Sequence, residues 1–141
     1  MRRLFCTLIG VLSLLLLALG AGALYLTWGR GQTPPIFDAQ GHPLPGSISS
    51  LEQIDLNGAA QWILLRGKDR TKPVLLFLHG GPGMPAMYLA HAWQRPLEED
   101  FVVVHWDRRG AGKSYQAGLG GELSVRQTLE DTYELTRLLR E

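Results

Sequence analysis

The 141-residue chain reads as an α/β domain set behind one long apolar N-terminal helix. Three observations predict this. From Leu4 to Gly29 there is no charged residue. Two later apolar runs, Val74–Leu78 and Phe101–Trp106, each end in a glycine-rich turn. An Asn57-Gly58 pair lies between two shorter strand candidates. Buried strands that end in glycine turns suggest a site at the carboxyl ends of a parallel sheet.

The N-terminal run comes first. At about 1.5 Å per residue, a helix of its length exceeds the roughly 30 Å hydrocarbon core of a bilayer. Residues 4–29 are therefore expected to contact lipid, with residues 1–30 forming a transmembrane anchor or signal segment. Arg2 and Arg3 precede the run. Positive charge there favours a cytoplasmic N-terminus and a domain on the far side of the membrane. A secreted form remains an alternative, because Ala21-Gly22-Ala23 resembles a signal-cleavage site. The run is longer than the usual h-region of ~7–15 residues, which favours the uncleaved anchor.

Residues 31–50 contain Pro34, Pro35, Pro43 and Pro45 with Gly41 and Gly46, and read as an extended linker. The domain proper is expected over residues 51–141. Its first strands are Leu51–Leu56 and Gln61–Arg66, joined as a hairpin because Asn57 and Gly58 both tolerate positive φ. Val74–Leu78 follows, then a short helix from about Pro85 to Gln94, then Phe101–Trp106. Ser124 and Gln127 fit a capping box that starts a last helix. Val125, Leu129, Thr132 or Tyr133, Thr136 and Leu139 recur at helical spacing along it.

Composition excludes several functions. Beyond residue 30 the chain carries 11 Lys+Arg against 13 Asp+Glu, so no basic patch points to nucleic acid. Cys6 is the only cysteine, which leaves no disulfide framework and no cysteine metal site. Nothing calls for a cofactor or a metal. Gly112-Lys113-Ser114 suggests a phosphate loop, but the Walker pattern needs glycine at the position held by Asp107. Glu98-Glu99-Asp100 reads as an exposed acidic turn, and Trp93 and Trp106 as core aromatics. Of Arg108 and Arg109, one is expected in a structural ion pair and the other in solvent.

The candidate site is the stretch His79-Gly80-Gly81-Pro82-Gly83, directly after the Val74–Leu78 strand. Its glycines let backbone N–H groups approach a ligand, as an oxyanion hole requires. A tight structural turn is the plainer reading. The second motif is Asp107-Arg108-Arg109-Gly110-Ala111-Gly112-Lys113-Ser114.

Together these motifs resemble the α/β-hydrolase fold family, in its proline iminopeptidase branch, over about Leu51 to Glu141. The resemblance implies the N-terminal part of a hydrolase sheet. It implies that Gly80 and Gly81 shape half an oxyanion hole, with the Gly81 N–H as donor. His79 would order the loop. Asp107, Arg109, Gly110, Gly112 and Ser114 would form a structural turn beneath the site. Full-length relatives would act on a small peptide, releasing an N-terminal proline or another small residue. An ester, lactone or epoxide substrate is the alternative.

The family's nucleophile sits in G-x-S-x-G, with the acid and histidine later in the chain. None of these is expected here. The serines are Ser13, Ser47, Ser49, Ser50, Ser114 and Ser124, none in that pattern. This chain alone is therefore expected to be inactive, as part of an enzyme or as a non-catalytic, membrane-tethered truncation. In the family sheet the third strand lies between the fourth and fifth. The edge of Val74–Leu78 is accordingly expected to be unpaired, an aggregation hazard.

Overall fold

The computed structural model describes residues 2–27, 32–80, 83–116 and 123–140, with the side chains of α1 described for residues 10–25. The chain divides into two compact units, residues 1–31 and 32–141. The first holds helix α1, Arg2–Thr27, 26 residues long. Its leucines and Val11 are exposed along the described stretch. Among the described residues no helix is long and apolar enough to cross a membrane.

The second unit is built on a mixed four-stranded sheet of order β1-β2-β4-β3. Strands β1 (Ile48–Leu56) and β2 (Ala59–Gly67) form an antiparallel hairpin. Asn57 and Gly58 turn it with φ of 51° and 76°, the double left-handed geometry that this pair accommodates. The hairpin starts at Ile48, earlier than the expected Leu51. Strand β4 (Val102–Asp107) pairs antiparallel with β2 and parallel with β3 (Val74–Phe77). All six residues of β4 are buried, which explains its mostly apolar run: both faces of this central strand are covered.

The two faces have separate cores. On one, Leu56, Ile63 and Trp106 meet Leu135 of helix α3 (Val125–Leu138). Each such side chain contributes roughly 2–3 kcal/mol when fully buried. On the other, Leu64 packs with Met87 and Ala90. The helix expected from Pro85 to Gln94 is broken into a 3-10 turn, Met87–Leu89, and a single α turn, α2, Ala90–Trp93. No side chain caps either piece, and a second 3-10 turn containing Pro96 follows at once.

Three further expectations change. Residues 32–50 are fastened to the sheet. Ile36 is buried, Phe37 bridges Pro43, and Arg66 donates to the Pro34 carbonyl at 2.6 Å. Glu98 is buried in an ion pair with Arg66 at 2.9 Å, so only part of the acidic turn is exposed.

Helix α3 is also rotated from its apolar stripe. Val125, Leu129 and Tyr133 are 78%, 64% and 74% exposed, whereas Asp131 and Leu135 are buried. The cause is Asp131. Its carboxylate accepts from Asn57, Gln61, Arg109 and Gln127 at 2.8–3.2 Å, and those bonds fix the helix face. A buried carboxylate stripped of its donors costs several kcal/mol, on the order of what leaving apolar side chains in water costs, so its bonds can set the helix face. Half the capping box forms: the Ser124 hydroxyl accepts the Gln127 N–H at 3.1 Å. The Gln127 side chain turns to Asp131 instead of reaching back.

Candidate active site

Strands β3 and β4 run parallel, so both glycine-rich turns leave the sheet at the same end. A cavity of about 380 Å³ opens there, lined by His79, Gly80, Gly83, Arg108, Gly110 and Ser124 among others. The sequence motifs are thus brought together around one space. Gly81, the expected donor, and Pro82 lie outside the described residues. At Gly80 an added Cβ would meet nothing within 4 Å, so this part of the loop is open. Gly83 has a φ of +73°, which favours glycine.

His79 is 4% exposed. Its Nε2 faces the Arg108 backbone N–H at 3.4 Å and the Arg108 Nε–H at 3.3 Å. Its Nδ1 lies 3.3 Å from the Gly80 carbonyl oxygen. The ring is thus held between the Gly80 carbonyl and Arg108. Arg108 packs against this histidine, so the expectation that one of the two arginines is simply solvated is not met. No sequence signal announces that contact, because 29 residues separate the two.

The β4 turn is closed by its own groups. Asp107 accepts the Lys113 N–H at 2.8 Å through Oδ2. Gly112 sits so close that a Cβ would lie 2.1 Å from Asp107 Oδ2, and its φ is +50°. The Ser114 hydroxyl donates to the Asp107 carbonyl and accepts the Trp62 N–H at 2.8 Å. Burial pushes the Asp107 carboxyl up, against the lowering effect of the Lys113 N–H. This carboxylate takes an N–H that a phosphate loop would offer its ligand, which removes the nucleotide reading.

Arg109 is the ion-paired arginine. Its Nε donates to Asp131 at 3.1 Å, and its backbone N–H donates to Gln61 Oε1 at 2.8 Å. Gln61 in turn bonds Asp131 and accepts from the Trp106 indole. Burial raises the Asp131 carboxyl, and hydrogen bonds from Arg109, Asn57, Gln61 and Gln127 outweigh it, leaving the group below its usual range. This network ties the hairpin turn, the β4 turn and α3 together. Neither Gln61 nor Asp131 stands in a motif, so sequence spacing had no means to find them.

Four of the five serines described in this unit have their hydroxyls committed. Ser114 is 1% exposed, with its hydroxyl used twice. Ser124 caps α3, and the hydroxyls of Ser47 and Ser49 donate to backbone carbonyls. Among the described residues no cluster of His, Cys, Asp or Glu could hold a metal ion.

No protein-family model matches the chain. It is similar to the probable aminopeptidase YbaC of Bacillus subtilis, 36% identical over 98 residues, covering 69% of this chain and 31% of that protein. The crystal structure of a proline iminopeptidase-related protein from Thermus thermophilus superimposes with a TM-score of 0.57 at 32% identity. That match covers 66% of this chain and 33% of the other. The chain therefore spans about a third of the length of these relatives. With the strand order and the two turns already described, these likenesses carry one conclusion: the chain belongs to the proline iminopeptidase-like α/β-hydrolases.

Proposed function

We propose that this chain supplies the oxyanion-hole side of a serine-type aminopeptidase that releases a small N-terminal residue, proline above all, from a peptide. The observation that carries this reading is the juxtaposition at one end of the sheet. The His79–Gly83 loop leaves β3 beside a rigid β4 turn, and both border the same cavity. In the reaction a serine attacks the scissile carbonyl, and a histidine takes its proton. The Gly81 N–H then donates to the tetrahedral oxyanion. One such donor is worth roughly 3–4 kcal/mol in the transition state.

The nucleophile is proposed to lie outside residues 1–141. Ser114, the nearest approach to a nucleophile elbow, has its hydroxyl bound at both ends, and that supports the reading. The chain alone is thus proposed to bind without turnover. Residues 4–29 are proposed to anchor the protein in a membrane, with the N-terminus cytoplasmic; the uncharged run from Leu4 to Gly29 behind Arg2 and Arg3 supports this.

The test uses the longer hydrolase that carries a triad after this segment. Prolyl-arylamide and acyl-ester substrates are assayed side by side, with the protein fractionated between membrane and soluble pools. Cleavage of the arylamide by membrane-bound protein is expected. Activity confined to esters would reassign the enzyme to the esterase group, and a wholly soluble, full-length product would remove the anchor.

A further inference from the structure

We propose that a second cavity, on the sheet face opposite helix α3, binds a free apolar α-amino acid. Asp107 would take its ammonium, Lys113 its carboxylate, and an apolar wall its side chain. The proposal does not rest on the hydrolase reading above. The cavity measures about 300 Å³, at the small end of ligand pockets. It shares no lining residue with the cavity bordered by the His79–Gly83 loop. The β4 turn divides the two. Residues 108–111 border one space, and Asp107, Gly112 and Lys113 border the other.

The register of the sheet builds this second space. Side chains alternate between faces along a strand. Trp106 meets α3, so Asp107 belongs to the opposite face. There Leu51 stands opposite Leu64 across β1 and β2, and Trp62 stands opposite Asp107 across β2 and β4. Leu64 packs with Met87, which makes the wall apolar. The Lys113 Nζ lies over the Trp62 ring, 4.9 Å from its centroid. The Trp62–Asp107 pair thus brings a carboxylate and an ammonium to one apolar space.

Neither charge is fully served by the protein. Asp107 is 2% exposed. Its Oδ2 accepts the Lys113 backbone N–H at 2.8 Å, but its Oδ1 has no hydrogen-bond partner among the described residues. Burial pushes this carboxyl up, and a cation beside it would favour the charged form again. The Lys113 ammonium is exposed and joins no ion pair among the described residues. His91 also borders the cavity. Burial holds it below its ordinary range, so it adds no charge at neutral pH.

This pairing selects the head group. A simple amine would set a second cation beside Lys113, and a simple carboxylate a second anion beside Asp107. An α-amino acid carries both charges on adjoining atoms and meets each with its opposite. What is left of it is an apolar side chain, which suits Leu51, Leu64 and Met87.

The test is an NMR titration of the full chain in detergent micelles with L-leucine, following the Trp62 indole and the Lys113 amide. Saturable shifts of both signals are expected. N-acetyl-leucine lacks the ammonium and leucinamide lacks the carboxylate, and each is expected to bind at least about tenfold more weakly. Glycine, without an apolar side chain, is expected not to saturate. Lys113→Met keeps the apolar stem and removes the cation. It is expected to weaken leucine about tenfold and to leave leucinamide no weaker, a pattern that loss of folding would not give. Leucine without saturable shifts would overturn the proposal. So would equal binding of leucine and either analogue, or shifts confined to Ser124 and Thr128 in the other cavity. None of these readouts needs turnover, so a longer protein without hydrolase activity would sink the proposed function and leave this result standing.

Discussion

Two glycine-rich turns leave the same end of the sheet from neighbouring parallel strands, and they use glycine for opposite purposes. The loop after β3 is open where it is described: nothing lies within 4 Å of a Cβ built on Gly80. The turn after β4 is full, with Gly112 pressed against the Asp107 carboxylate and Gly110 against Leu123. In one, glycine leaves the backbone open to approach. In the other, it lets a carboxylate and its own loop close together. The lesson is that a glycine motif marks a close approach, and only its surroundings tell whether a ligand or the protein makes it.

The sharpest way to break this comparison is to add a methyl group to each turn. Gly112→Ala places Cβ within 2.1 Å of Asp107 Oδ2 at a φ of +50°, so the turn must be rebuilt. A loss of ~3 kcal/mol or more in denaturant unfolding is expected. Gly80→Ala is expected to change stability by less than ~0.5 kcal/mol. Equal losses would show that both turns are architectural.

Asp131→Ala comes next. It leaves Arg109, beside the hairpin turn, without its buried carboxylate partner, for an expected loss of about 3 kcal/mol. The same measurement checks it, and an unchanged midpoint would mean that the network does not hold α3 in place.

Acid titration gives a graded effect. Burial, aided by the charge of His91, lowers His105 from 6.5 to about 4. Its ring is enclosed by Phe77 and Trp93. The unfolded chain therefore takes up a proton at His105 below pH 6.5, while the folded chain resists until about pH 4. Stability is full above 6.5, falls across that window, and has lost up to ~3 kcal/mol at its foot. Asp131, lowered in the fold, extends the loss below 3.8. Asp107, raised by burial, works the other way and loses stability as pH rises past 3.8. His105→Phe is expected to flatten the 6.5-to-4 limb of a pH series of unfolding midpoints. An unaltered slope would place the proton elsewhere.

The smallest effect on stability is expected at the sheet edge. Among the described residues β3 pairs only with β4, and Val74 is exposed on it. Val74→Lys should change unfolding by no more than ~0.5 kcal/mol yet reduce self-association, read by sedimentation. Undiminished association would shift attention to the exposed Val125, Leu129 and Tyr133 face of α3.

Much of the fold was legible because its signals are local. Asn57-Gly58 announces the hairpin, a mostly apolar run announces β4, and Ser124 announces the start of α3. What escaped is set by contacts far apart in sequence. The α3 stripe was misassigned because Asp131, a polar residue, fixes the buried face through partners as distant as Asn57. Glu98 was assigned to solvent because its partner, Arg66, is 32 residues away. The site divides in the same way. The loop and turn were visible as motifs. The Arg108–His79 contact that joins them became visible only in three dimensions.

One measurement bears most directly on the central claim, that residues 1–141 hold the oxyanion side of a hydrolase site and none of its nucleophile. It is fluorophosphonate labelling of the 141-residue chain, with the modified peptides mapped by mass spectrometry. The account predicts no specific label on any serine, Ser114 included, because that hydroxyl is buried and bound at both ends. Specific labelling of Ser114, or of any other serine in the chain, would contradict it.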